Sequence, residues 1–138
     1  MRFWDTSALM PLLVEETASR RLEALYRSDP EMLVWYATPA EVESAIQRRR
    51  REGSIDADSE RWIRERLGDL EETWYEVQAT EVVRERAIRL LRVHPLRGAD
   101  AFQLGAALVV FEEHTRGNFF LAEDARLREA AEAEGFSV

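Results

Sequence analysis

Leu33-Val34-Trp35-Tyr36 is followed, after one alanine, by Thr38-Pro39, and this order indicates a buried strand that leads into a helix. A run that is apolar throughout is typical of a parallel strand covered on both faces. Thr38 suits the N-cap of the next helix, and Pro39 suits its first position. Glu41, three residues after Thr38, would complete a capping box. The segment therefore predicts one β–α unit of a parallel sheet.

The same alternation continues on both sides of this unit. Further strands are predicted at 2–4, 74–77 and 119–122, with a last short strand at 136–138. Helices are predicted at about 17–28, 38–52, 56–70, 80–94, 98–111 and 124–135. Trp62, Ile63, Leu67 and Leu70 are expected to face inward, as is Leu91 of the following helix. Strands that alternate with helices predict an α/β fold, a three-layer α/β/α sandwich with a short, mostly parallel sheet.

Length and composition limit the possible classes of protein. The 138 residues suit a single domain over 1–138, without an internal repeat or a long linker. No apolar run approaches the roughly 20 residues that span a bilayer, and no signal segment is evident, so we expect a cytoplasmic protein with no membrane partner. The absence of cysteine excludes disulfides and thiolate metal sites. The net charge of −8 argues against broad nucleic-acid binding, but it is compatible with a metal-lined cleft or local arginine patches.

All 19 basic residues are arginine, and the lack of lysine excludes several kinds of active site. A phosphate-binding loop of the P-loop type needs a lysine, and Schiff-base chemistry needs an amine. A phosphoaspartate receiver domain needs a lysine as well. A dehalogenase-type phosphatase would have a second aspartate two residues after Asp5, but position 7 is serine.

Four acidic residues stand at strand ends or in first helical turns, namely Asp5, Glu41, Asp100 and Asp124. In a parallel α/β fold these positions converge on one crevice at the carboxyl ends of the strands. Carboxylates that meet there repel one another unless a cation lies between them. Taken singly, Glu41 and Asp124 have a simpler explanation, because the helix dipole favours acids in first turns. Asp5 and Asp100 are harder to explain in this way, because Asp5 is a charge at a strand end and Asp100 heads a helix that is otherwise nearly all apolar. Glu43 and Glu123 compete with Glu41 and Asp124 for the same roles.

Four motifs carry a specific resemblance that spans almost the whole chain. In chain order they are Asp5-Thr6-Ser7-Ala8-Leu9, then Glu41-Val42-Glu43-Ser44-Ala45-Ile46-Gln47-Arg48-Arg49, Leu96-Arg97-Gly98-Ala99-Asp100-Ala101-Phe102-Gln103-Leu104, and Leu121-Ala122-Glu123-Asp124-Ala125-Arg126-Leu127. Together they resemble the motifs of PIN-domain ribonucleases, including the VapC toxins of toxin–antitoxin pairs. The resemblance implies one PIN-like domain that hydrolyses RNA phosphodiester bonds with Mg²⁺ or Mn²⁺.

The resemblance and the positions of the residues near the crevice together suggest a role for each candidate residue. Asp5 and Asp100 would be the primary metal ligands and catalytic residues, with Glu41 and Asp124 completing the site. Ser7 would orient Asp5 on the substrate side of the site, and Arg97 would contact substrate. An antitoxin partner is also implied, and the apolar face of the helix that carries Trp62 is expected to form part of a homodimer or antitoxin surface. The function has one open alternative, a PIN-like module that binds RNA or a partner without catalysis. The arginine run at 48–51 also has two explanations: a patch that contacts phosphate or a partner, or a solvated helix end.

Overall fold

The computed structural model describes all residues from Met1 to Val138. Its elements, in chain order, are β1 (Arg2–Trp4), α1 (Thr6–Leu13), α2 (Ser19–Ser28), β2 (Met32–Trp35), α3 (Thr38–Glu52), α4 (Ala57–Glu71), β3 (Trp74–Val77), α5 (Glu81–Val93), α6 (Gly98–Val110), β4 (Phe120–Leu121) and α7 (Ala125–Ala133). None of the helices combines the length and the apolar character needed to cross a bilayer.

The four strands form one parallel sheet in the order β3-β2-β1-β4. β1 lies at an inner position, with Phe3 paired to Leu33 of β2 and to Phe120 of β4. Ser137 adds one parallel bridge to Phe119 in place of the predicted last strand. The prediction of an α/β fold with a parallel sheet is confirmed.

Successive side chains of each strand point to opposite faces of the sheet, which divides the core in two. Phe3 of β1 packs with residues of α5, α6 and α7, whereas the adjacent Trp4 packs with residues of α1, α3 and α4. Both side chains are fully buried. The sheet is therefore the middle layer of a three-layer sandwich, with its strand ends open at one edge.

Helix α1 directly follows β1 and was not among the predicted helices. The chain from Ala8 to Leu13 is buried along its whole length, so it shows no amphipathic period. Pro11 inside the helix is a further signal against helix. The helix is instead enforced by burial between α2, α3 and α4, which sequence periodicity cannot reveal.

The structure corrects the predicted start of α3. The N-cap residue is Ala37, no side chain caps the helix, and Thr38 lies inside it. Thr38 is fully buried, and its hydroxyl accepts a hydrogen bond from the Gln103 amide at 3.4 Å. The predicted capping box between Thr38 and Glu41 is therefore wrong, because both side chains are used in contacts with α1 and α6.

Two predicted core residues lie at the surface. Trp62 is 56% exposed and Leu91 is 43% exposed, whereas Ile63 and Leu90 are buried. Each exposed residue neighbours a buried one in sequence, and adjacent residues of a helix point about 100° apart. The inward faces of α4 and α5 are too narrow to include both members of each pair.

Predicted helix ends are confirmed where local chemistry alone determines them. Gly53 ends α3 with a positive φ of 74°. The Asp56 carboxylate accepts from the Ser59 backbone N–H at 2.8 Å and caps α4. The Thr80 hydroxyl accepts from the Val83 backbone N–H and caps α5.

Gly105 allows α6 to approach α5 closely, and we expect its replacement to destabilise the fold. A Cβ at this position would lie 3.1 Å from the Ala87 nitrogen and 3.2 Å from the Val83 carbonyl oxygen. Both are helix backbone atoms, which yield less readily than a flexible side chain. Overpacking costs about 1–3 kcal/mol, which outweighs the gain of roughly 0.5–1 kcal/mol in helix propensity. Gly105→Ala should therefore lower the free energy of unfolding measured in urea.

Gly68→Ala is the matched control, because Gly68 lies within α4 and a Cβ there meets nothing within 4 Å. This variant should gain about 0.5–1 kcal/mol from helix propensity alone. Equal stabilisation by both substitutions would contradict the tight packing of α5 on α6.

Candidate active site

A cleft of about 900 Å³ lies at the carboxyl ends of the strands, where the helices that follow β1, β2 and β4 begin. The structure brings all six predicted site residues to its wall: Asp5, Ser7, Glu41, Arg97, Asp100 and Asp124. They come from α3, α6, α7 and the junction of β1 with α1, so the chain assembles the cleft from distant segments. Parallel strands explain this convergence, since their carboxyl ends share one edge of the sheet.

Asp5 is the most buried of the four acidic residues, with 5% of its surface exposed. Its Oδ2 accepts a hydrogen bond from the Ser7 backbone N–H at 2.9 Å, and this bond caps α1. The same oxygen accepts a second hydrogen bond from the Ser7 hydroxyl. Burial raises the pKa of Asp5, the charges of Glu41 and Asp100 add to this, and the Ser7 hydrogen bonds oppose it, so that the net pKa is about 6. Asp5 is therefore a carboxyl group that lacks compensating positive charge.

Ser7 connects two of the segments that line the cleft. Its hydroxyl donates to Asp5 and accepts from the Glu123 backbone N–H at 2.9 Å. Glu123 follows β4, so this contact joins the end of β1 to the end of β4. The geometry makes Ser7 a residue that positions Asp5, while its contact with substrate stays a prediction.

Glu41 lies in the first turn of α3 with a donor on each carboxylate oxygen. The Thr6 hydroxyl donates to Oε2 at 3.0 Å, and the Gln103 amide donates to Oε1 at 3.2 Å. Burial raises the pKa of Glu41, and the charge of Asp100 raises it further, against the effect of these hydrogen bonds. The two donors fix the side chain of Glu41 in the cleft.

Gln103 contacts a residue of the cleft but was not among the predicted site residues. It is 1% exposed, and its Nε2 lies 3.3 Å from the Thr6 hydroxyl and 3.4 Å from the Thr38 hydroxyl, besides contacting Glu41. Its Oε1 is buried without a partner. A signal existed, because Gln103 is a polar residue in an apolar helix and lies on the same face as Asp100, three residues earlier.

Asp100 and Asp124 occupy the first turn of α6 and the N-cap of α7. Burial raises the pKa of Asp100, the charge of Asp124 adds to this, and Arg97 opposes it. Asp124 Oδ1 accepts from the Leu127 backbone N–H at 2.9 Å. Asp124 therefore caps a helix and also lines the cleft.

The two competing acids point elsewhere. Glu43 forms two hydrogen bonds of 2.9 Å with Arg64 of α4. Glu123 pairs with Arg21 of α2, and Arg128 lies 3.9 Å away. Neither Glu43 nor Glu123 lines the cleft, whereas Glu41 and Asp124 do.

The side chains of the cleft match the donor chemistry of a hard divalent cation. The candidate ligands are all carboxylate oxygens, which Mg²⁺ and Mn²⁺ prefer. Burial and mutual repulsion raise the pKa values of Asp5, Glu41 and Asp100, and a bound cation would relieve both effects. No three Asp, Glu or His side chains of the chain form a preassembled cation-binding group.

Arginines also line the cleft, and the structure divides the run at 48–51. Arg48 faces the cleft, together with Arg97 and Arg126. Arg49 pairs with Glu16, and Arg50 pairs with Glu60 at 3.1 Å. The run is therefore not a single patch, because its members point to different surroundings.

Comparison with known proteins identifies the family. The chain is 34% identical over 143 aligned positions to Ribonuclease VapC45 of Mycobacterium tuberculosis (strain CDC 1551 / Oshkosh). This alignment covers 99% of this chain and 92% of that protein. The same values hold for Ribonuclease VapC49 of Mycobacterium tuberculosis (strain ATCC 25618 / H37Rv). No protein-family model matches the sequence. The extent of these two alignments, over a parallel α/β/α fold with an acidic cleft, shows that the chain belongs to the VapC-type PIN-domain ribonuclease family.

Proposed function

We propose that the protein is a metal-dependent endoribonuclease and the toxin of a type II toxin–antitoxin pair. The observation that carries this proposal is the meeting of four carboxylates from four chain segments in one cleft, three of them with raised pKa values. Such a cluster lowers the stability of the fold, and groups with strongly shifted pKa values are concentrated at functional sites. The relatives are named ribonucleases, and this supports RNA as the substrate.

The acidic residues divide into two pairs in the proposed site. Asp5 and Asp100 would be the primary ligands of Mg²⁺ or Mn²⁺, and Glu41 and Asp124 would complete the site. When bound, the ion supplies an acidified water and neutralises charge on the phosphate. Asp5 has its Oδ1 free of protein hydrogen bonds, since Ser7 donates only to Oδ2. Asp124 likewise uses only Oδ1 for capping, so each residue keeps one oxygen for the ion.

The remaining residues hold these groups and the substrate in place. Ser7 fixes Asp5, and the hydrogen bonds from Thr6 and Gln103 fix Glu41. Arg97 stands three residues before Asp100 at the cleft wall, and we propose that its guanidinium contacts a substrate phosphate. Holding reacting groups in place is a large part of phosphodiester hydrolysis, because a small displacement costs much of the rate.

Metal removal tests the proposed function. The purified protein should cleave RNA with Mg²⁺ or Mn²⁺, lose this activity in EDTA and regain it when the metal is restored. Asp100→Asn should be inactive, which excludes a contaminating nuclease. Asp69→Asn, which changes an exposed acid of α4, should retain full activity. Equal cleavage by parent and Asp100→Asn would contradict the assigned site, and RNA binding without cleavage would favour a non-catalytic PIN-like module.

The assembly state is a separate part of the proposal. We propose that the toxin is a homodimer and that, as the family resemblance implies, an antitoxin protein holds it inactive. Light scattering on the purified protein should then give a mass twice that of the 16.0 kDa chain. A monomeric mass over the whole accessible concentration range would contradict the homodimer.

A further inference from the structure

Arg48, Arg97 and Arg126 line the cleft and form no ion pair, whereas 11 of the 19 arginines of the chain do. Elsewhere arginines are mostly neutralised, as for Arg64 with Glu43 and Arg89 with Glu134. The three cleft arginines are set apart from the other unpaired arginines by their position, because only they line the acidic cleft. Cationic groups in this position are free to bind an external anion.

The helical spacing of α3 determines where Arg48 lies. Glu41, Ser44, Ala45 and Arg48 all line the cleft, and they follow the i, i+3, i+4, i+7 pattern of one helix face. Seven residues of α-helix rise about 10 Å, so Arg48 lies roughly that distance along α3 from Glu41. Arg48 is therefore outside the acidic centre but in the same cleft.

The order of the strands puts Arg126 on the other side of the site. α3 follows β2 and α7 follows β4, and β1 lies between β2 and β4 in the sheet. Asp5 directly follows β1, so the helices that carry Arg48 and Arg126 begin on opposite sides of it. Arg126 also lies in the first turn of α7, where the helix dipole adds to the attraction for an anion.

We propose that Arg48 and Arg126 form two phosphate subsites that flank the acidic centre, so that an RNA strand crosses the cleft from α3 to α7. The ligand is the sugar–phosphate backbone on either side of the bond that is cut. No aromatic side chain lines the cleft, so base stacking makes no contribution there. Recognition at these two subsites is therefore electrostatic and independent of base identity. The inference relies on the proposed function only for the choice of RNA as ligand.

Binding of a labelled RNA oligonucleotide, measured by fluorescence anisotropy, tests the two subsites. The Asp100→Asn variant serves as the parent in the presence of Mg²⁺, and a gel after each titration checks that the RNA is intact. Arg48→Ala and Arg126→Ala should each weaken binding about tenfold, as expected for a lost charge-assisted contact. Each should also reduce the slope of log K against log salt by about 0.7, the value for one phosphate contact on a single strand.

Arg51→Ala is the matched control, because it removes the same charge from the same helix at an exposed position away from the cleft. It should leave both affinity and salt slope unchanged. All three arginines are exposed, so the variants should unfold at the same temperature as the parent.

Two results would overturn the inference: an equal loss in Arg51→Ala, which would indicate a general charge effect, or unchanged RNA binding in both cleft variants. The second result would indicate that these arginines contact a protein partner and not RNA. Failure of the proposed function would give a different result. The wild-type protein would then bind RNA through Arg48 and Arg126 but would not cleave it with Mg²⁺ or Mn²⁺.

Discussion

Replacement of Asp5 by asparagine is expected to abolish RNA cleavage and, at neutral pH without metal, to raise the free energy of unfolding by about 2–3 kcal/mol. The gain follows from the environment of the carboxylate, which is buried and whose pKa is raised from 3.8 to about 6. Asparagine removes the charge but still accepts the hydrogen bonds of Ser7, so the cap of α1 is kept. Activity would be measured on RNA with Mn²⁺, and stability by urea unfolding.

The pH dependence of stability gives an independent measurement of the same effect. Because the folded state raises the pKa of Asp5, it holds a proton more tightly than the unfolded state. The penalty is absent below about pH 4, where both states are protonated, and complete above about pH 6. The free energy of unfolding of the parent should therefore fall as pH rises through this window. Asp5→Asn should be free of this part of the slope.

Addition of a divalent cation is a second test of the buried charge at Asp5. Mg²⁺ or Mn²⁺ that binds the folded state should raise the unfolding temperature of the parent at neutral pH. It should have little effect on Asp5→Asn, which would lack one of the two proposed primary ligands. Asp69→Asn should behave like the parent, since the substituted side chain is exposed on α4. An asparagine variant that is less stable than the parent at every pH would contradict the account of Asp5 as a buried, uncompensated charge.

Local chemistry made part of the fold predictable from sequence. Gly53 has the positive φ that its position after α3 requires, and Thr80 caps α5 with its hydroxyl. The strand Trp74–Val77 has the predicted bounds, set by a β-rich run between polar segments. In each case the determining atoms lie within a few residues of one another, so the sequence contains the full cause.

Features that depend on contacts between distant segments were not predictable in the same way. Thr38 looks like an N-cap by sequence, but Gln103, 65 residues later, uses its hydroxyl in the core. Residues of α1 are buried on all sides, which removes the period that would identify them as helical. The candidate site could be predicted from sequence only in part. The acids Asp5 and Asp100 were predicted as site residues because each stands out locally, whereas the contacts that hold Glu41 come from two other elements.

Replacement of Gln103 by methionine is expected to lower kcat for RNA cleavage by about 10–100-fold, the usual cost of removing a residue that orients a metal ligand. Methionine has a similar shape but lacks the amide that donates to Glu41 Oε1 at 3.2 Å. Thr38→Val is the matched control, because the Thr38 hydroxyl contacts the same amide but not Glu41. It should leave kcat nearly unchanged, although each substitution alters the buried cluster. The two variants thus separate loss of the Glu41 contact from disturbance of the core.

A double-mutant cycle with Glu41→Gln shows whether Gln103 acts through Glu41. If Gln103 serves only to position this carboxylate, Gln103→Met should lower kcat little further once Glu41 is replaced, so the two effects are strongly non-additive. Thr6→Val should show the same pattern, since the Thr6 hydroxyl is the second donor to Glu41, at 3.0 Å. Additive losses in both cycles would mean that Gln103 and Thr6 act on the reaction independently of Glu41. In that case the hydrogen bonds to Glu41 would serve the packing of α1 and α3 on α6, and Glu41 would take its position in the site without them.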